Sequence, residues 1–507
     1  AKGAAMGGVR LLEETKVTGI KRNMGRVSGV VTEKGEIEAE YVVNCGGIWA
    51  RELGKMAGVN VPLHAAEHYY LITEPIDGLH QDLPIVEDPD RFAYYREEVG
   101  ALMIGFFEPV ARPWGMAGIP DGFRFGEIAA DWERMMPYME TAMERIPISK
   151  ETGIHTFFCG PESFTPDMGP LMGEAPELEN FFVAAGFNSL GILFGGGAGQ
   201  VMAQWIVDGL PPVDVSGIDI ARMMPFQNNP KYLHDRTVEL LGWQYTSWPN
   251  LQPETARNAR RSAMHDRLAA AGAYFGQSVG WEYPDWFAPQ GVEPKVAYSW
   301  GRQNWFEYAA AEHRAARERV VLMDLTHMSK ILVQGRDAEK VLNRICANNV
   351  AVPAGRVVYT QWLNERGLIV MDLTVTRLAA DCYLLVLVDA MQRRAETWLR
   401  RHMPPEAHVF VTDVTSAYNI ISVQGPKSRQ LIAGLTSADM SNQVFPYLTM
   451  QEIDIEYAPV KALRITYVGE LGWELYVPTE FTLHVFDALV EAGADVGLRH
   501  AGFQALN

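Results

Sequence analysis

The sequence predicts a multidomain chain, α/β in its first part and α+β in its second. Three observations carry that expectation. Two short apolar strands, residues 41–44 and 181–185, each run into a glycine turn and then a helix. Between them, residues 60–160 read as antiparallel strands around one amphipathic helix. Beyond a Pro- and Arg-rich stretch, residues 311–507 mix strands and helices with no internal repeat. At 507 residues the chain is long enough for two to four domains with sizeable cores.

Residues 9–18 alternate like a strand, and 26–32 and 37–39 flank Lys34-Gly35 as a hairpin. The buried strand 41–44 leads through Cys45-Gly46-Gly47 into a helix over 48–56. That order brings bare backbone N–H groups to a helix start at the end of a sheet, where a ligand approaches closely. A tight turn explains one such element alone; two in one chain favour a ligand. Strands follow at 69–73, 92–95 and 100–104, then a helix over 125–145 that Pro147 ends. A strand at 154–159 precedes a long Pro- and Gly-rich loop over 160–176, GPESFTPDMGPLMGEAP. The stretch 186–205 then reads as a loop through Gly195-Gly196-Gly197 and Gly199, with a helix over 200–207. On its own the glycine triplet is a weak signal, and a turn before a core helix is the plainer reading.

Residues 211–265 form a polar connector containing Pro225, Pro230, Pro249 and Pro253. The aromatic cluster from Tyr274 to Tyr308 reads as a hydrophobic cap on the next domain rather than an aromatic cage. A helix over 309–319, strands at 321–324 and 329–334 and a helix over 337–345 follow. A hairpin of 357–363 and 368–375 comes next, then a strand at 383–388 and a helix over 390–401. The mixture continues through 408–413, 418–423, 426–432, 460–467, 473–477 and 481–492. The expected domains are 1–210, 211–265 and 266–507, the first containing the antiparallel sheet of about 60–160.

A net charge of −18 argues against a general nucleic-acid binder, because phosphates would be repelled. It leaves room for a small anion in a local basic pocket. The four cysteines are widely spaced, with no zinc-like pattern and too few for a disulfide framework, so they read as reduced thiols and no metal site is expected. No apolar run approaches the ~18 residues of a membrane helix, so no membrane insertion is expected.

Four blocks carry a resemblance to a known family. They are YVVNCGGIWARELGKMAGVNVPL (41–63), the block from CGPESFTPD to VMAQWI (159–206), NARRSAMHDRLAAAGAYFGQSVGWEYPDWF (258–287), and the pair LNERGLIVMDLTVTRL (363–378) and YVGELGWELYVP (467–478). Together they resemble the sarcosine and dimethylglycine dehydrogenase flavoproteins. The third block is closer to the sarcosine enzyme, and the last pair is similar to the folate domain of the glycine-cleavage T-protein. The resemblance implies a D-amino-acid-oxidase-like FAD fold with an antiparallel substrate sheet, followed by a T-protein-like tetrahydrofolate domain. The family's N-terminal GxGxxG unit, the segment with its flavin-linking histidine and the end of its folate domain are not matched here. The sequence therefore reads as an internal fragment, with an incomplete FAD fold and a truncated folate domain.

The activity implied is FAD-dependent oxidative demethylation of a small N-methyl amine, an N-methylated glycine (sarcosine or dimethylglycine), with the one-carbon unit passed to tetrahydrofolate. Electrons would go to a carrier flavoprotein or to oxygen. The compartment would be the cytoplasm in a bacterium or the mitochondrial matrix in a eukaryote. The resemblance assigns Gly186, Phe187, Asn188, Ser189, Leu190, Gly191 and Ile192 to the flavin and substrate wall. It sets Val17, Gly46 and Gly47 along the adenosine side and a helix start at Gly195–Gly199 beside the flavin. In His68-Tyr69-Tyr70 it makes Tyr70 the acid/base or polarising group, supported by His68. In the folate domain Asp372 matches a carboxylate beside the folate nitrogens, with Met371 in place of a neighbouring acid. Glu474 matches the partner of the pterin's donor edge, and Tyr467 and Tyr359 lie nearby. Asp372 stands between Met371 and Leu373, which suggests an ionised group in an apolar setting. Two other readings are weighed: a non-catalytic relative like the pyruvate dehydrogenase phosphatase regulatory subunit, which shares this architecture, and a stand-alone folate aminomethyltransferase, against which the flavin-type blocks before residue 210 argue.

Overall fold

The chain opens with a short helix α1 (Lys2–Met6) and an antiparallel meander of β1 (Val17–Asn23), β2 (Arg26–Thr32) and β3 (Gly35–Glu38). Residues 9–16 do not join β1. Pairing with β2 starts only at Val17↔Thr32, so the alternation before it forms no strand ladder. The computed structural model describes residues 1–246 and 248–506. It divides into two compact units, Ala1–Ser247 with Pro253–Ala256, and Trp248–Gln252 with Arg257–Asn507.

The first unit continues with β4 (Val42–Asn44), a turn through Gly46, and α2 (Ala50–Ala57). Its largest sheet uses β5 (His64–Thr73), β6 (Val86–Asp88), β7 (Ala93–Glu98), β8 (Ala101–Phe106), β9 (Pro113–Trp114) and, after α3 (Trp132–Met143), β10 (Ile154–Phe164). The order is β10-β5-β8-β7-β6, with β9 paired to β5. Helix α3 starts seven residues later than its apolar spacing suggested, because Asp131 caps it by accepting from the Arg134 N–H at 3.1 Å. Met135, Met139 and Ala142 then form the stripe that packs on Tyr69, Leu71, Leu102 and Ile104.

Residues 160–176 are not one loop. Gly160–Phe164 extend β10, and β11 (Leu171–Glu174) follows, because every residue from Gly160 to Phe164 has a pairing partner on β5. β12 (Phe181–Ala185) pairs with β11 and runs parallel to β4. The glycine stretch also differs from expectation. Helix α4 (Gly191–Asp208) begins just after its N-cap Leu190, so the glycine triplet lies inside it and no helix start falls at residues 195–199. A Cβ at Gly195, Gly196, Gly197 or Gly199 would meet nothing within 4 Å. Helical hydrogen bonds on both sides carry the run despite a cost of about 1 kcal/mol per glycine. The connector's helix α5 (Pro230–Trp243) packs Leu240 and Leu241 on Ala66, Phe107 and Phe164 of this first unit.

The second unit opens with α6 (His265–Ala270) and a hairpin of β13 (Ala273–Ser278) and β14 (Trp281–Phe287), which is where several of the clustered aromatics lie. Then come α7 (Phe306–Glu318), β15 (Val320–Asp324), β16 (Ser329–Gln334), α8 (Ala338–Ile345), β17 (Val357–Leu363), β18 (Ile369–Ala379), β19 (Cys382–Leu387) and α9 (Gln392–His402). The remainder is β20 (Phe410–Asp413), β21 (Tyr418–Gln424), α10 (Ser428–Ala433), β22 (Met450–Ile455), β23 (Ala458–Leu463), β24 (Gly472–Pro478), α11 (Thr482–Gly493) and β25 (Leu498–His500). They make two sheets, β22-β23-β24-β21-β15-β25 and β17-β18-β19-β16-β20. Glu312 on α7 is fully buried and ties two segments together. Its oxygens accept the backbone N–H of Phe287 at 2.8 Å and of Gly502 at 2.9 Å.

Removing that carboxylate leaves two buried N–H groups without an acceptor. Glu312→Ala is expected to cost about 2–5 kcal/mol in urea unfolding, whereas Glu312→Gln, which keeps one acceptor, costs less. Equal effects of the two changes would contradict this role.

Candidate functional site

Pairing of β5 with β10 sets Tyr70 opposite Phe158, His68 opposite Gly160 and Ala66 opposite Glu162. Alternate residues of paired strands share a face, so His68, Tyr70, Phe158 and Glu162 project together. Tyr70 stacks on Phe158 with ring centroids 4.8 Å apart. On the next strands Tyr94 pairs with Gly105, which pairs with Tyr70. Gly105 is required there: a Cβ would lie 2.1 Å from the Tyr94 ring. The face is thus aromatic, with one charged pair set into it. Burial raises the phenol pKa of both Tyr70 and Tyr94, and carboxylates nearby raise them further, so both stay neutral.

His68 is buried, and both its ring nitrogens are engaged. Nδ1 lies 2.7 Å from Glu162 Oε2 and Nε2 lies 2.7 Å from the Phe106 carbonyl. Burial alone would lower its pKa, but the Glu162 charge and hydrogen bond, Glu108 and the Phe106 carbonyl together raise it. For Glu162 burial works upward, yet His68 and Ser189 bring the carboxyl below its ordinary range. With two acceptors around it, the ring donates from both nitrogens, and the pair is imidazolium and carboxylate. Ser189 Oγ stands 3.5 Å from His68 Nδ1, at the edge of this pair. His68 therefore has no nitrogen left to support Tyr70 directly. The sequence reading missed Glu162, whose partnership depends on a strand pairing that its own neighbours do not reveal.

The glycine turns meet at one end of a parallel pair. Asn44 of β4 pairs with Val183 of β12, so residues 45–47 and 186–188 leave the carboxyl ends of adjacent parallel strands. Gly47, at φ +54°, looks onto open space, whereas Gly46 is needed for packing because a Cβ would lie 2.6 Å from Leu53. Asn188 and Ser189 have φ of +52° and +71°, uncommon for residues with side chains and a form of strain that concentrates at binding sites. The buried Asn188 side chain accepts from the Thr165 N–H at 2.9 Å and donates to the Met168 and Gly186 carbonyls, so it fixes the loop rather than facing a ligand. Phe187 is half-buried, while Gly191 and Ile192 at the start of α4 are exposed. Val17 sits at the beginning of β1. Open N–H groups at the α4 start, bare backbone at Gly47 and an apolar Ile192 fit a flat ring system with an anionic edge.

In the second unit the Tyr359 hydroxyl donates to Asp372 Oδ2 at 2.8 Å. Asp372 is exposed, unlike its buried neighbours Met371 and Leu373. The expected apolar setting is therefore corrected: β18 alternates, and Asp372 points to the other face of its sheet. Tyr467 lies beside them. After burial, the charges raising its pKa are those of Glu474, Asp372 and Tyr359. Glu474 is buried, accepts from the Tyr476 hydroxyl at 2.8 Å, and is pushed by burial up to about 7, against the pull of Tyr476 and Lys330. Four residues that stand far apart in sequence thus gather around one carboxylate-lined place. Its buried acceptor suits the donor edge of a pterin.

Family models match in three consecutive blocks: FAD dependent oxidoreductase over residues 1–205, FAD dependent oxidoreductase central domain over 208–262, and GCVT N-terminal domain over 264–507. The chain thus joins an FAD dependent oxidoreductase domain and its central domain to a GCVT N-terminal domain, and its relatives of known name include amine dehydrogenases and oxidases. It is 41% identical to a 4-methylaminobutanoate oxidase (formaldehyde-forming) of Paenarthrobacter nicotinovorans, across 99% of this chain and 61% of that one. It is 36% identical to the mitochondrial sarcosine dehydrogenase of Homo sapiens, across 100% of this chain and 60% of that one. It is 32% identical to the mitochondrial pyruvate dehydrogenase phosphatase regulatory subunit of Mus musculus, across 100% and 59%. The chain spans about three fifths of the length of these relatives. Among the described residues no helix is long and apolar enough to cross a membrane, and no group of three or more His, Cys, Asp or Glu could hold a metal ion. All four cysteines are free.

A carboxyl whose pKa rises from 4.5 to about 7 on folding favours the protonated folded state. Its contribution is intact below the unfolded pKa and is lost as pH rises through 7. The charged form costs roughly 3 kcal/mol at pH 8. Glu474→Gln is therefore expected to stabilise the fold at pH 8 by about 1–3 kcal/mol and to change little at pH 5. Urea unfolding at the two pH values measures the difference, and a gap that does not widen with pH would count against a buried carboxyl.

Proposed function

We propose that the complete protein oxidises an N-methyl amino acid at the N-methyl carbon and passes that carbon to tetrahydrofolate. The observation that supports this is the gathering of the implied residues into two clusters, one in each unit, with chemistry suited to the two half-reactions. Sarcosine, dimethylglycine and 4-methylaminobutanoate all carry a methylated amine and a carboxylate. The relative at 41% identity is named for a longer acid than sarcosine, so the proposal is the class of methylamino acids and not one member.

Bound FAD would supply the two-electron acceptor. Gly46, Gly47 and Val17 would line its adenosine side, and Phe187, Ser189, Gly191 and Ile192 its ring, with Asn188 holding that turn in shape. Tyr70 is a neutral phenol on the aromatic face, able to hydrogen-bond or relay a proton at the amine. Loss of hydride leaves the carbon as an iminium, which water would hydrolyse to formaldehyde. Asp372, with Tyr359 bonded to it, is the exposed carboxylate able to move a proton at a folate nitrogen. Glu474 would hold the pterin's donor edge, and Tyr467 would line the ring.

Anaerobic bleaching of the flavin by sarcosine, dimethylglycine and 4-methylaminobutanoate tests the class directly. Failure of all three would remove the proposal and favour a non-catalytic role. Tyr70→Phe is expected to slow bleaching by about 10²–10⁴-fold with FAD content unchanged. Asp372→Ala should leave bleaching intact and divert the product from methylenetetrahydrofolate to free formaldehyde; an unchanged product ratio would take Asp372 out of the transfer.

A further inference from the structure

We propose that Glu162 is the residue that receives the substrate nitrogen, and that His68 acts through it as a positioning residue. The inference rests on the methylamino acid reading above and adds a residue to it. His68 is closed to a ligand, because one nitrogen serves Glu162 and the other the Phe106 carbonyl, each at 2.7 Å. Glu162 is the open end of the pair. Its side chain is 38% exposed against 7% for His68, and only Oε2 is bound to the ring. The sheet face around it carries the rings of Tyr70, Tyr94 and Phe158. An anion set among aromatic faces is a site for a small alkylated cation, which gains from both the carboxylate and the ring quadrupoles.

That arrangement also serves the reaction. The substrate's neutral amine offers a lone pair, which becomes the second bond of C=N as the C–H bond breaks. Both C–H electrons leave with the hydrogen for the two-electron acceptor that FAD would supply, and nitrogen becomes cationic. A carboxylate already ionised and fixed meets that developing charge without reorganising, so it favours the transition state over the neutral ground state. The imidazolium of His68 is what keeps the carboxylate from taking up a proton in a half-buried place. Glu162 is consequently too weak a base to strip an ammonium, so the amine's own proton must leave for another acceptor.

The test pairs two unreactive acids of similar shape on the FAD-loaded complete protein. Glycine betaine carries a permanent cation and methylthioacetate carries none. Glu162→Gln is expected to weaken betaine binding by about tenfold or more in calorimetry, while leaving methylthioacetate binding as it was. It should also slow flavin reduction by the reactive methylamino acid by about 10²–10³-fold. Glu162→Asp, which keeps the charge on a shorter arm, should recover part of both losses and covers the case in which the glutamine variant does not fold. Betaine bound equally well by wild type and Glu162→Gln, or no partial recovery by aspartate, would overturn the assignment. If no methylamino acid bleaches the wild-type flavin, the activity reading fails, and the betaine comparison still decides whether Glu162 receives a cation.

Discussion

The register of β5 against β10 is the constraint on which the first unit's site depends. A slip of one residue would send every side chain to the opposite face. Both faces resist such a slip. The odd positions Tyr69 and Leu71 close the core against Met135 and Met139. The Tyr69 hydroxyl donates to Glu67 at 2.8 Å, and Arg134 reaches Glu67 at 3.4 Å and Glu108 at 3.0 Å. The even positions hold the His68–Glu162 pair. Neither half of the pattern would survive in the other's surroundings, so the pairing that fills the core also aims the site.

Buried charges of this kind add little net stability, because desolvation offsets most of their attraction. Glu108 illustrates the cost: burial raises its pKa, and His68 and Arg134 only partly oppose that. What the network provides is definition. Arg134 on α3 fixes the helix over one face of the sheet, while Glu162 fixes the imidazole on the other. A uniformly apolar sheet would pack as well but would leave no oriented charge where an amine could meet it.

Much of the strand framework was legible from short apolar runs. Ser329–Gln334 and Val357–Leu363 have the limits their apolar spacing implied. The glycine-rich helix was not legible, since glycine's local preference argues against a helix and the bonds that sustain α4 come from residues on both sides of the triplet. Residues 160–164 look like a loop by composition, yet β5 supplies a ladder partner for each of them. Asp372 does not lie in the apolar setting its neighbours implied: they are buried, and period-two geometry turns it outward. Glu162 could be found only after the strands were paired. A carboxylate in a Pro- and Ser-containing segment carries no local mark of a partner 94 residues away.

The second unit separates two carboxylates by environment, and the separation sorts their chemistry. Asp372 sits in the open and shares one hydrogen bond with Tyr359, so it can exchange protons with a ligand and with solvent. Glu474 is enclosed, and burial drives its pKa up to about 7. Lys330, equally enclosed, is driven down to about 7 by burial, against Asp324 and Asp413. Its Nζ donates to the Thr326 and Met328 carbonyls, each at 2.8 Å. Two buried groups poised near neutrality are a poor way to stabilise a fold. They become useful when an incoming ring brings donors to Glu474, because hydrogen bonds to the carboxylate favour its charged form and that charge favours the ammonium of Lys330 in turn. Under the proposed function, the enclosed Glu474 would take recognition and the exposed Asp372 proton movement.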